Sequence, residues 1–193
     1  MYEEVIKDYL TTKRQEIHDS RKKLAGAQPS PWAFIPAEPR ENFNEVYPGI
    51  LLGNYFIAKN KEELKRKNVT HVVNCAQGTK SNQINTDEEY FSDTDIKFLG
   101  LEALDVERFP MNKFFQPAAD FIEEALASKG VVYVHCMSGM SRSGAIVLSY
   151  LMIKRGLSVM DAVKLVRDKR EIFPNDGFLK QLCELDQQLQ QQR

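Results

Sequence analysis

The chain has 193 residues, 42% of them apolar, enough for one well-buried domain and too few for two catalytic ones. Its formal net charge is −1, yet residues 129–193 carry 10 Lys+Arg against 6 Asp+Glu and residues 1–128 carry 16 against 21, a bias that favours anions at the C-terminal half but is too diffuse to argue for nucleic acid. No run approaches the ~20 apolar residues of a membrane span, "MYEEVIKDYL" is acidic rather than a signal peptide, and Cys75, Cys136 and Cys183 offer neither a disulfide framework nor a zinc spacing, so a soluble protein of the reducing cytoplasm, with the nucleus open to it, is expected.

In chain order, Tyr2, Val5, Ile6, Tyr9 and Leu10 form a helical stripe continued by Ile17 and Leu24, with Gly26 as a stop. That helix can pack on the domain, self-associate or bind a partner, and packing is the default expectation. "GAQPSPWAFIPAEPR" holds four of the eight prolines and the one tryptophan. It reads as a linker anchored by Trp32 and Phe34, which makes residues 1–42 an extension and 43–193 the folded domain. Strands are expected near 50–53, 70–74, 96–100 and 131–135, and helices near 60–67, 113–128, 143–155, 158–169 and 176–190. Strands alternating with helices predict an α/β fold, a layered and mostly parallel sheet flanked by helices, with its site at the carboxyl ends of the strands.

The stretch "VVYVHCMSGMSRSG" stands out. Val131–Val134 read as a strand buried on both faces, and Ala145, Ile146, Leu148, Leu151 and Met152 mark a helix starting near Arg142. The backbone amides of Met137, Ser138, Gly139, Met140, Ser141 and Arg142 can therefore converge beside the positive end of a helix dipole. Such a cradle suits a tetrahedral oxyanion. A thiolate at Cys136 is stabilised by the same field and is a nucleophile at neutral pH, while the Arg142 fork can grip two equatorial phosphoryl oxygens. The combination amounts to a phosphoryl-transfer site that needs no metal or cofactor. The plainer alternative is an inert buried cysteine at a strand end. Glu102, Asp105 and Glu107 follow the apolar segment 96–101, and a general acid carried on a loop can reach the leaving oxygen from the side opposite the thiolate.

Taken whole, His135-Cys136, five residues, Arg142-Ser143 is HCx5RS, which resembles the signature of the cysteine-dependent protein tyrosine phosphatase superfamily. "VYPGILLGNYFIA", "NVTHVVNCAQG", "FLGLEALD", "AADFIEEAL", "YLMIKRGLSVMDAV" and "REIFPNDGFLKQL" extend the likeness over roughly 43–190, to the atypical dual-specificity phosphatases and most of all the VHR type. The resemblance implies Cys136 as nucleophile, Arg142 as phosphate clamp, Asp105 as general acid and Ser143 as the hydroxyl that helps expel the thiolate. It also implies that His135 and Asn175 brace the loop and that Arg170 meets a second phosphate, which would bring doubly phosphorylated MAP kinase loops among the substrates. An ordinary turn at Asn175 and a dipole-complementing arginine at 170 are the alternatives.

The variable loop positions Met137–Ser141 are all neutral, whereas relatives acting on phosphoinositides tend to place lysines there. Phosphorylated proteins are therefore expected as partners over lipids or RNA 5′-triphosphates. Met140 and Gly144 depart from the VHR pattern, and Met140 gives the pocket a softer wall. Cys75 sits where some related phosphatases carry a cysteine that traps the oxidised nucleophile as a disulfide; an inert buried thiol is the alternative.

Overall fold

The computed structural model describes residues 2–25 and 41–192; Trp32 and Phe34 lie outside them. The strands are β1 (Phe43–Tyr47), β2 (Ile50–Gly53), β3 (Val69–Asn74), β4 (Lys97–Gly100) and β5 (Val131–His135). They form one sheet in the order β1-β2-β5-β3-β4. β1 is antiparallel to β2, and the other neighbours are parallel. The helices are α1 (Tyr2–Ala25), α2 (Tyr55–Ala58), α3 (Lys61–Arg66), α4 (Phe115–Ala127), α5 (Arg142–Arg155), α6 (Val159–Lys169) and α7 (Asp176–Gln191), with a 3-10 turn at Met111–Phe114 before α4. The fold is a mixed, mostly parallel sheet flanked by helices, with a helix at the N-terminus.

Side chains alternate across the pleat, so each strand feeds two cores. Ile50, Leu52, Val73, Val132 and Val134 enter the larger core with α4, α5, α6 and α7, while Leu51, Val72 and Tyr133 enter the smaller one with Ala58 and Leu64. β5, hydrogen-bonded on both sides, carries the uninterrupted apolar run that a central parallel strand requires. α5 is buried along its length from Arg142 to Met152, which fixes its N-terminus against the end of β5. α6 and α7 begin at side-chain caps: Ser158 accepts from the Asp161 amide and Asn175 from the Phe178 amide.

β1 and α2 were not expected. β1 is an edge strand with Val46 as its one fully buried residue, so "FNEVY" lacks the apolar density by which a buried strand is read. It turns into β2 through Pro48 and Gly49, whose φ of +78° suits glycine. α2 has four residues, too few for any periodicity to register. It is started by Asn54, whose side chain accepts from the Phe56 amide. In α1, Ile6 and Leu10 are fully buried in the larger core, worth about 1.5–3 kcal/mol each. This half of the helix packs on its own domain, leaving Tyr2 and Val5 exposed.

Candidate active site

Between the end of β5 and the start of α5, residues 136–141 form a loop whose carbonyls are held from outside. Met137 O accepts from the Tyr55 amide (3.2 Å), Ser138 O from Arg170 Nη2 (2.9 Å), Gly139 O from Arg170 Nε (3.0 Å), Met140 O from the Phe173 amide (3.2 Å) and Ser141 O from the Ala145 amide (2.9 Å). Every described peptide bond is trans, and in a trans peptide the N–H points opposite to the C=O. Holding the carbonyls of 137–141 outward therefore turns the amides of 138–142 inward. Gly139 makes the sharpest bend, at φ +75°, a conformation that glycine adopts freely. The result is a nest of donors over the N-terminus of α5, where the helix dipole adds positive potential.

Cys136 lies at the bottom of this nest, 1% exposed. Ser143 Oγ donates to its Sγ at 3.2 Å. His135 is fully buried, and burial pushes its pKa down to about 3, so the ring is neutral; Nδ1 lies 3.5 Å from the Cys136 carbonyl, which the neutral ring can donate to. All three cysteines are free thiols. Cys75 directly follows β3, its amide donating to His135 O of β5 (2.8 Å), and burial, reinforced by the neighbouring Cys136, pushes its thiol pKa well up.

Arg142 and Asp105 close the other side. The Arg142 guanidinium is 1% exposed. Nη1 donates to the carbonyls of Asn82 (2.8 Å) and Ala103 (3.3 Å), and Nη2 donates to Asn82 Oδ1 (3.0 Å). Nε has no hydrogen-bond acceptor among the described residues and stands 3.7 Å from Asp105 Oδ2. Asp105 is fixed through its other oxygen: Oδ1 accepts from Ser141 Oγ (2.7 Å) and from Asn175 Nδ2 (2.9 Å), and Ser141 Oγ in turn accepts from the Asn175 amide (3.2 Å). Oδ2 is left to face the Arg142 edge. Glu102 and Glu107, the neighbouring carboxylates, are exposed.

The structure thus brings Cys136, Arg142, Ser143, Asp105, His135 and Asn175 together around one loop. For Arg170 it shows a loop-bracing role that was not expected. That side chain is 2% exposed and turned inward; besides its two loop carbonyls, Nη1 donates to Glu41 O (3.0 Å) and Asn44 Oδ1 (2.8 Å). A guanidinium so occupied braces the loop, with one Nη2–H left over from these four bonds. Burial with four acceptors on two segments, 41–44 and 138–139, won over exposure, and an arginine just past the end of α6 gives no sign in the sequence of which way it will turn. Two further contacts escaped the sequence reading. The Ser141 side chain reaches Asp105, one of three serines in the motif with nothing local to distinguish it, and Asn82 reaches Arg142 across 60 positions.

Residues 50–188 match the family model "Dual specificity phosphatase, catalytic domain". Dual specificity protein phosphatase 26 of Bos taurus is 46% identical over 149 residues, covering 77% of this chain and 69% of that protein. Among solved structures, human DUSP28 superposes with a TM-score of 0.68 at 29% identity, covering 80% of this chain and 99% of that one. A mouse putative dual specificity phosphatase complexed with zinc tungstate gives 0.68 at 29% identity, covering 78% and 90%. The nest over Cys136 and the breadth of these matches lead to one assignment: the chain belongs to the dual-specificity protein phosphatases.

Proposed function

We propose that this phosphatase hydrolyses phosphotyrosine and phosphoserine or phosphothreonine in proteins through a phosphocysteine intermediate. The observation that carries the proposal is the gathering at one loop of Cys136, which accepts from Ser143 Oγ, and of Asp105, whose Oδ2 stands 3.7 Å from Arg142 Nε. In the first step Cys136 Sγ attacks phosphorus, the bond from phosphorus to the ester oxygen breaks, and Asp105 Oδ2 gives its proton to that oxygen. The inward amides and Arg142 hold the three equatorial oxygens as their charge builds. In the second step water attacks the phosphocysteine, Asp105 takes the water's proton, the P–S bond breaks, and the Ser143 hydroxyl donates to the departing thiolate. With Oδ1 already accepting two hydrogen bonds, Oδ2 is the oxygen that carries the proton.

A tetrahedral oxyanion as ligand accords with the mouse relative, whose structure is described as complexed with zinc tungstate; tungstate has the shape of phosphate. MAP kinase activation loops enter this reading through the resemblance alone, since the arginine that suggested a second phosphate braces the loop. Steady-state turnover of phosphotyrosyl and phosphothreonyl peptides, single and doubly phosphorylated, tests the substrate class. Hydrolysis of both residue types is expected, and a protein that turns over an aryl phosphate but no phosphopeptide contradicts the proposal.

A further inference from the structure

We propose that Asn82 is the positioning residue for the phosphate clamp, an inference that rests on the phosphatase reading above. The guanidinium of Arg142 has five N–H groups, and their use is divided by edge. The end-on pair, Nη1 and Nη2, is gripped by one residue: Asn82 accepts from Nη1 with its backbone carbonyl and from Nη2 with its side-chain carbonyl. Ala103 O takes the second Nη1 hydrogen. What remains is Nε–H and one Nη2–H, which lie side by side on the lateral edge. That lateral pair is the fork that matches two phosphoryl oxygens.

Without the end-on grip, another acceptor competes for the clamp. Asp105 Oδ2 stands 3.7 Å from Nε, and a guanidinium freed at its far end can rotate to pair with that carboxylate, removing the fork and the acid together. Asn82 prevents this by fixing the rotation of the plane from the side opposite the pocket.

Asn82 is built for the contact. Its φ is +62°, the left-handed conformation that asparagine tolerates better than most residues; this aims carbonyl and side chain at one target. The loop behind it is braced. The Ile84 amide donates to Ala76 O (2.7 Å), and the buried Asn74 donates to Ile84 O and Thr86 Oγ1, both at 2.9 Å. Asn82 itself is exposed, so changing it does not open the core.

The test is Asn82→Gly, which keeps the backbone carbonyl and suits the positive φ while deleting the amide. Alkylation of Cys136 by iodoacetate, an anion steered by Arg142, is compared with alkylation by neutral iodoacetamide, beside kcat and KM on a small aryl phosphate. The expected result is a fall of about tenfold in both kcat/KM and the iodoacetate rate, the scale of one hydrogen bond to a charged group, with the iodoacetamide rate within about twofold of wild type. In an Arg142→Lys background the substitution should change the iodoacetate rate no further, because its effect runs through the guanidinium. Unchanged kcat/KM and iodoacetate rate in the single variant, an equal loss with iodoacetamide, or the same loss on top of Arg142→Lys would each overturn the assignment. Wild type that fails to hydrolyse the aryl phosphate defeats the phosphatase reading; the alkylation ratio then decides the role of Asn82 independently.

Discussion

Replacing Arg170 with methionine, close in length but without donors, separates the two roles this arginine has been given. In the structure the change strands four acceptors, two of them the Ser138 and Gly139 carbonyls of the phosphate loop. Hydrogen bonds to a charged group contribute about 1.5–3 kcal/mol each, so the two loop bonds together are worth roughly 3–6 kcal/mol. Some of this is recovered as the peptides rotate toward water or neighbouring donors, but rotation is itself the damage, because it turns the amides of Gly139 and Met140 away from the pocket. If about 2 kcal/mol of the loss reaches the transition state, kcat/KM falls about 30-fold. The assay is kcat/KM of wild type and Arg170→Met on a small aryl phosphate, a monophosphorylated peptide and its doubly phosphorylated counterpart. Loop support predicts the same fold loss on all three. A loss confined to the doubly phosphorylated peptide would refute the reasoning and return Arg170 to the mouth of the site.

Ser141→Ala and Asn175→Ala each remove one donor to Asp105 Oδ1; kcat should fall several-fold more on an alkyl phosphate, which needs its leaving group protonated, than on an activated aryl phosphate, and equal losses would detach these residues from the acid. Ser143→Ala removes the hydroxyl at Cys136 Sγ and should slow the second step, giving a burst of product in rapid-mixing experiments where wild type gives none. Ile6→Ala, a cavity under α1 in the larger core, should cost about 2–5 kcal/mol in denaturant unfolding; a loss near zero would show that the helix is not seated there. For His135 the folded pKa, about 3, lies below the ordinary value of 6.5, so between these values the unfolded chain binds a proton that the folded chain does not. Its contribution to stability is thus present above about pH 6.5 and is lost as the pH falls toward 3, on the order of a few kcal/mol. His135→Asn should unfold less steeply with acid than wild type over that window, and identical acid transitions would show that the buried imidazole is not what titrates.

The reach of the sequence ended where contacts stop being local. β5 and the start of α5 were legible because an unbroken Val-Val-Tyr-Val run and a helical apolar pattern flank the loop, and helices α6 and α7 because Ser158 and Asn175 cap amphipathic patterns. Once the loop was fixed between strand and helix, the places of Cys136, Arg142 and Ser143 followed from their spacing. β1 and α2 were missed for want of burial and length respectively. The inward turn of Arg170 depends on carbonyls contributed by residues 41, 138 and 139, and the grip of Asn82 on Arg142 depends on a left-handed residue in a loop that no apolar pattern organises. Neither is written in the sequence near the residue concerned; both are set by which segments the sheet order brings side by side.

The central claim is that Cys136 carries the phosphoryl group between the two steps. The most direct measurement is rapid acid quench of the protein during aryl phosphate turnover, using Ser143→Ala to prolong the intermediate, with wild type, Cys136→Ser and Asp105→Asn alongside, followed by mass analysis of the Cys136 peptide. The account predicts a phosphoryl group on Cys136 in the Ser143 variant, no turnover with Cys136→Ser, and loss of the alkaline limb of the wild-type pH profile in Asp105→Asn. Turnover that survives Cys136→Ser with no phosphopeptide in any variant would contradict it.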